Sequence, residues 1–197
     1  TAFCNKPRVS VGKRDKPLEI PLDVDYDLWC GPAQKLPLYR DKLHYDCCFD
    51  SNTGEGDSTN QGAHQMDVAR WLLGEKDLPR RVMSIGGRFV FNDAADCPNT
   101  QIIYYDFPSM PVLYEMHDLR VAKGSNQVPK FRGETVGVAV DCEGGYIMFR
   151  RGAKVYDTQG KLVKTFPDAE DRLHFENFIA AVRSGRREDL HCEIREG

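Results

Sequence analysis

The chain has 197 residues, 41% of them hydrophobic, with 27 basic and 30 acidic side chains and a formal net charge of -3, a globular composition with material for a core. The charges are interspersed, with no basic run longer than Arg186-Arg187, which removes the electrostatic footprint of a nucleic-acid binder. No stretch approaches the roughly 20 apolar residues of a membrane span.

The opening Thr1-Ala2-Phe3-Cys4-Asn5-Lys6-Pro7 has neither a signal-peptide core nor an initiating Met, so the sequence reads as a fragment or a processed product. Whether the protein is cytoplasmic or exported then depends on what precedes Thr1. Seven cysteines at irregular spacings, without a C-x-x-C pair, predict reduced and mostly buried thiols. Nothing beside the vicinal Cys47-Cys48 pair marks it as a low-pKa thiol.

Residues 1–55 are rich in proline (Pro7, Pro17, Pro21, Pro32, Pro37) and predict an extended arm and loop, with a strand at Val9–Lys13. The polar run Ser51–Ser58 leads into a helix predicted over residues 59–73, which Gly74 ends. On that helix Asn60, His64, Asp67 and Trp71 share one stripe, while Ala63, Met66, Ala69 and Leu73 form an apolar face suited to a core. A capping Asn60 with a satisfied core histidine and a functional stripe are both consistent with this pattern.

Strand-like runs follow at Arg81–Ile85, Arg88–Phe91, Gln101–Phe107, Val112–Met116, Thr135–Val140, Tyr146–Phe149 and Ala153–Tyr156, joined by hairpin-length turns. A closing helix spans Asp171–Arg183, with Phe175, Phe178, Ile179 and Val182 on one face and Gly185 as its stop. The predicted fold is a single α+β domain over 1–197, a large and mostly antiparallel open sheet with helices on one face. The other face needs a cover, from a second domain or another subunit. Ile103, Tyr105, Val112, Tyr114, Val138 and Val140 are the strand residues whose alternation leaves the outward parity open.

Several segments in order, Asp25–Ala33, His44-Tyr45, Gly56–Gly74, Ser84–Phe89, Pro98–Gln101 and His174–Phe178, resemble the C-terminal substrate-binding domain of the Gfo/Idh/MocA family of NAD(P)-dependent oxidoreductases. The resemblance implies a sugar, cyclitol or related polyol substrate and oligomers built through the sheet face. It also implies a partner Rossmann domain, carrying NAD or NADP and an E-K-P lysine, that this chain lacks: no G-x-G-x-x-G and no E-K-P occurs in it. The tail Cys192–Gly197 stops where the family continues into another helix.

His64 falls on the family's histidine and is the implied catalytic proton acceptor, since a free imidazole titrates near about pH 6.5. Asn60 stands where the family has an aspartate; an amide can bond a substrate hydroxyl but cannot take its proton. His44 and Tyr45 join Asn60 as substrate-binding candidates, and Asp67 as a residue that orients the His64 ring. No residue is assigned to a cofactor or a metal. Other readings remain open: a non-catalytic binding or assembly module, a part of an NAD-dependent glycosidase, and a metal-dependent hydrolase built on His44, His64, Asp67 and His117.

Overall fold

The computed structural model describes residues 1–168 and 170–193; the end of the tail, residues 194–197, lies outside them. Its centre is an eight-stranded sheet in the spatial order β2-β3-β4-β1-β5-β6-β7-β8. The strands are β1 (Ala2–Asn5), β2 (Val82–Gly87), β3 (Thr100–Tyr105), β4 (Val112–His117), β5 (Val136–Cys142), β6 (Gly145–Phe149), β7 (Ala153–Asp157) and β8 (Leu162–Phe166). All neighbours run antiparallel except β1 and β4. This is the predicted α+β open sheet. Among the described residues four α-helices accompany it: α1 (Tyr26–Cys30), α2 (Asp57–Asn60), α3 (Gly62–Leu73) and α4 (Asp171–Ser184). Among the described residues no helix is long and apolar enough to cross a membrane.

Helix α3 lies across β1, β4 and β5 and supplies Met66, Ala69, Leu72 and Leu73 to a core with Ala2, Cys4, Ile103, Val112, Tyr114, Met116 and Val138. Burying side chains of this kind contributes roughly 1.5–3 kcal/mol each, the largest single source of stability. The apolar face is rotated slightly from the predicted one: Ala63 is exposed and Gln65 is buried instead. Gly62 permits the close approach, because a Cβ there would lie 3.2 Å from the Tyr114 ring. Gly74 ends α3 in the left-handed conformation, and Gly185 ends α4 in the same way.

The strand parity is resolved. Ile103, Tyr105, Val112, Tyr114, Val138 and Val140 all belong to the helix-covered core. Their opposite-parity neighbours Ile102 and Leu113, with Met83 and Ile85 of β2, are exposed on the other face. Toward β5 and β6 that second face is covered, with Phe3, Ala139 and Met148 under Phe131 and Tyr146.

Two predicted strands are not strands. The backbone of Val9–Lys13 bonds outward, Val11 N–H to the Asp93 carboxylate and Asp41 N–H to the Val11 carbonyl. Arg88–Phe91 is interrupted by Val90 at φ +71, and its Phe89 backbone is instead clamped on both sides by the Asn99 amide. The arm is therefore ordered by side-chain and loop contacts rather than by a ladder. Helix α4 packs chiefly on the turn Arg187–Asp189, leaving Phe175, Phe178, Ile179 and Val182 exposed.

Tyr114 joins this core to the loop region above it: its ring is fully buried and its hydroxyl donates to the Asp57 carbonyl at 3.1 Å. Tyr114→Phe keeps the packing and removes one of the two hydrogen bonds that carbonyl accepts, the other coming from the Gln61 N–H at 3.1 Å, so a loss of about 0.5–1.5 kcal/mol is expected. Chemical denaturation should show a lower midpoint with an unchanged slope.

Candidate functional site

The loops at the carboxyl ends of β1 and β4 converge on the start of α2. Arg8, just beyond β1, reaches Asp57 at the first position of α2 with two hydrogen bonds, Nε to Oδ2 at 2.6 Å and Nη2 to Oδ1 at 2.8 Å. The Asp57 side chain is wholly buried and that of Arg8 is largely so. The third guanidinium nitrogen donates to the Tyr45 hydroxyl, and Asn60 Nδ2 donates to Asp57 Oδ1 at 3.1 Å. Since a carboxylate can only accept, the amide orientation follows: NH2 faces Asp57, and Asn60 Oδ1 is left as an acceptor.

Asp118 follows β4 and is also wholly buried. Its backbone is fixed on both sides, N–H to the Asn99 carbonyl and C=O from the Arg8 N–H. Burial first, then the negative charge of Asp57, push its carboxyl up to about 8. Ionised, both Asp118 oxygens lack a donor; protonated, Asp118 donates to Asp57. Burial acts in the same upward sense on Asp57, but the hydrogen bonds from Arg8 and Asn60 outweigh it and hold Asp57 below the usual carboxylate range. One carboxylate and one carboxylic acid thus share the site, a division set by which of them Arg8 contacts.

Asn60 is not the helix cap, a position taken by Gly56. The predicted single helix is divided at Gln61, with α2 one turn long and α3 behind it. His64 N–H bonds the Gln61 carbonyl at 3.1 Å, and its imidazole is exposed with no hydrogen bond or ion pair among the described residues. Asn60 is the last residue of α2 and His64 lies in the first turn of α3, four residues on.

Tyr45 is joined to Asn60 through Arg8 and Asp57, whereas its neighbour His44 is exposed in the loop. Asp67 stands elsewhere: it lines a cavity of about 310 Å³ with Trp71, Leu190 and His191, and no hydrogen bond links it to His64 among the described residues. His117 lies on β4 with Nδ1 3.3 Å from Thr100 Oγ1. His44, His64, Asp67 and His117 are not gathered into a metal-binding group among the described residues. No disulfide joins the cysteines among the described residues, and burial, then the charge of Asp57, push the Cys48 thiol up to about 11, against a reactive thiolate.

Arg8, Asp57 and Asp118 were not among the residues singled out from sequence. The one available signal was the spacing Asp57-x-x-Asn60, which places both side chains on one helical turn.

The Asp118 shift fixes a pH dependence. An unfolded aspartate titrates near about 3.9, so between about pH 4 and pH 8 the folded protein holds a proton that the unfolded chain has released. Stability falls as pH rises through that window. Asp118→Asn removes this term, and its urea midpoint should gain on that of the wild type from the acidic to the alkaline end. Parallel midpoints across the window would show that Asp118 does not titrate as described.

A family model described as "Oxidoreductase family, C-terminal alpha/beta domain" (GFO_IDH_MocA_C2) matches residues 2–109, more than half of the chain. Among solved structures, one described as an oxidoreductase, yvaA from Bacillus subtilis, aligns at 13% identity with a TM-score of 0.50, covering 80% of this chain and 49% of that one. Another, described as an oxidoreductase from Klebsiella pneumoniae, aligns at 16% identity and a TM-score of 0.46, covering 68% of this chain and 41% of its own. The WlbA dehydrogenase from Bordetella pertussis, solved with NADH and UDP-GlcNAcA, aligns at 12% identity and a TM-score of 0.45, covering 99% of this chain and 47% of its own. The chain spans less than half the length of each of these structures. None of the curated proteins matches it.

Proposed function

Because the chain belongs to the Gfo/Idh/MocA oxidoreductase family, as its C-terminal alpha/beta domain, we propose that residues 1–197 form the substrate-binding half of an NAD(P)-dependent dehydrogenase acting on a sugar, cyclitol or related polyol. The observation that carries this reading is an amide clamped by Asp57 and followed, four residues on, by an unbonded imidazole: Asn60 Nδ2 is held at 3.1 Å, and His64 is exposed in the first turn of α3. Asn60 Oδ1 accepts a hydrogen bond from a substrate hydroxyl, and His64 accepts the proton that leaves a carbinol. The Tyr45 phenol, fixed by Arg8, contributes a further polar contact, and His44 flanks it.

The described residues do not fit a dinucleotide cradle. Gly86-Gly87 at the end of β2 runs into a loop and not into a helix N-terminus, so the backbone donors that hold a pyrophosphate are not presented. The nicotinamide and its chemistry belong, in this reading, to a domain outside this chain; the residues here bind substrate and manage its proton. The exposed Met83, Ile85, Ile102 and Leu113 support a second role for the open sheet face, self-association.

The test uses the full-length enzyme. His64→Ala should lower kcat by about 10²–10⁴-fold, the range for a positioned general base, with NAD affinity unchanged. Wild-type turnover in that variant would move the proton chemistry away from α3. Asn60→Asp sets a second carboxylate against Asp57, so one of the two takes up a proton; the acidic limb of the pH-rate profile should move upward.

A further inference from the structure

Arg8 also lines a cavity of about 450 Å³, together with Val9, Val90, Phe91, Leu119, Arg120 and Lys123. No acidic side chain lines it. The charge of Arg8 is already met by Asp57, but Arg120 and Lys123 make no hydrogen bond or ion pair among the described residues, and Arg120 Nε is buried without a partner. Arg120 as a whole is partly buried, so the unmet donor is this one Nε–H, which an acceptor in the cavity would complete. One wall is also strained, since Val90 is a β-branched residue at φ +71, and such conformations concentrate at ligand sites.

We propose that this cavity binds a small organic anion, with its carboxylate or phosphate on Arg120 and Lys123 and its carbon skeleton against Phe91, Val90 and Leu119. The size is that of a small-molecule site. A planar guanidinium fork beside a mobile ammonium suits either oxyanion group. Arg8 is common to this cavity and to the Asp57-Asn60 network, so a bound anion sits next to the candidate site. The inference rests on the dehydrogenase reading for the ligand's skeleton, which makes it a sugar acid or a sugar phosphate.

Calorimetry on the full-length protein, saturated with NAD so that its phosphate sites are filled, tests this with glucose 6-phosphate, glucuronate and neutral glucose. At least one anion should bind more tightly than glucose, and its Kd should rise about tenfold or more in Lys123→Glu and in Arg120→Gln, with weaker binding at high salt. Lys123 is exposed, so its replacement does not threaten the fold. Binding of glucose 6-phosphate alone assigns a phosphate, and of glucuronate alone a carboxylate. Anions that bind no better than glucose, or that bind Lys123→Glu as they bind the wild type, overturn the proposal. Loss of anion binding with His64-dependent turnover intact removes this site alone; anion binding without turnover on any polyol removes the dehydrogenase reading alone.

Discussion

Burying the Asp57 carboxylate is the constraint on which the rest of the site depends. A wholly buried carboxylate is tolerated only with a matched cation and further donors, and removing one partner of such a pair typically costs about 3–5 kcal/mol. Arg8 supplies the cation through two bonds, Asn60 adds a donor, and the backbone carbonyl of Asp57 accepts from the Tyr114 hydroxyl. These contacts fasten three separate stretches of chain: the segment after β1, the start of α2, and β4. The position of α3, and with it His64, follows from where α2 is pinned.

The second buried acid is consistent with this arrangement rather than an exception to it. Arg8 compensates one negative charge, and Asp118, wholly buried beside the pair, cannot also ionise at modest cost. Its proton converts a repulsive pair into a hydrogen-bonded one. That proton leaves Arg8 wholly matched to Asp57, so the guanidinium can form a fixed wall for the cavity that Arg8 also lines while Tyr45 takes its remaining donor.

Much of the sheet, β2 through β7, was legible because its strands alternate in a way that pairing preserves, and those from β5 to β7 are joined by short turns; the exposed edge strand β8, Leu162–Phe166, was not foreseen. Strand β1 was not legible: Ala2–Asn5 is four residues long, fully buried, and its partners β4 and β5 lie far along the chain. Val9–Lys13 alternates like a strand, yet its backbone groups find the Asp93 carboxylate and Asp41 first. In the site, helical spacing brought out Asn60 and His64, because period 3.6 is a local property. The bonds from Arg8 to Asp57 and the contact of Asp57 with Asp118 cross elements and leave no period in the sequence. Asp67 was aligned on the same stripe, but the tail at Leu190 and His191 faces it instead of the histidine.

The amide at position 60 can be understood from its neighbour. Asn60 sits at the end of α2 with Asp57 one turn before it, and Nδ2 to Oδ1 is 3.1 Å. An aspartate at 60 would place two carboxylates at that distance, where like charges force one of them to hold a proton. With asparagine the contact is attractive without any proton being taken up, and the negative charge remains on Asp57, where Arg8 neutralises it. The amide is thereby locked with its carbonyl outward as a fixed acceptor, which an aspartate sharing a proton with Asp57 would not offer in one defined state. Asparagine at position 60 therefore gives that position a single orientation, fixed by the charge of Asp57 and not by a shared proton.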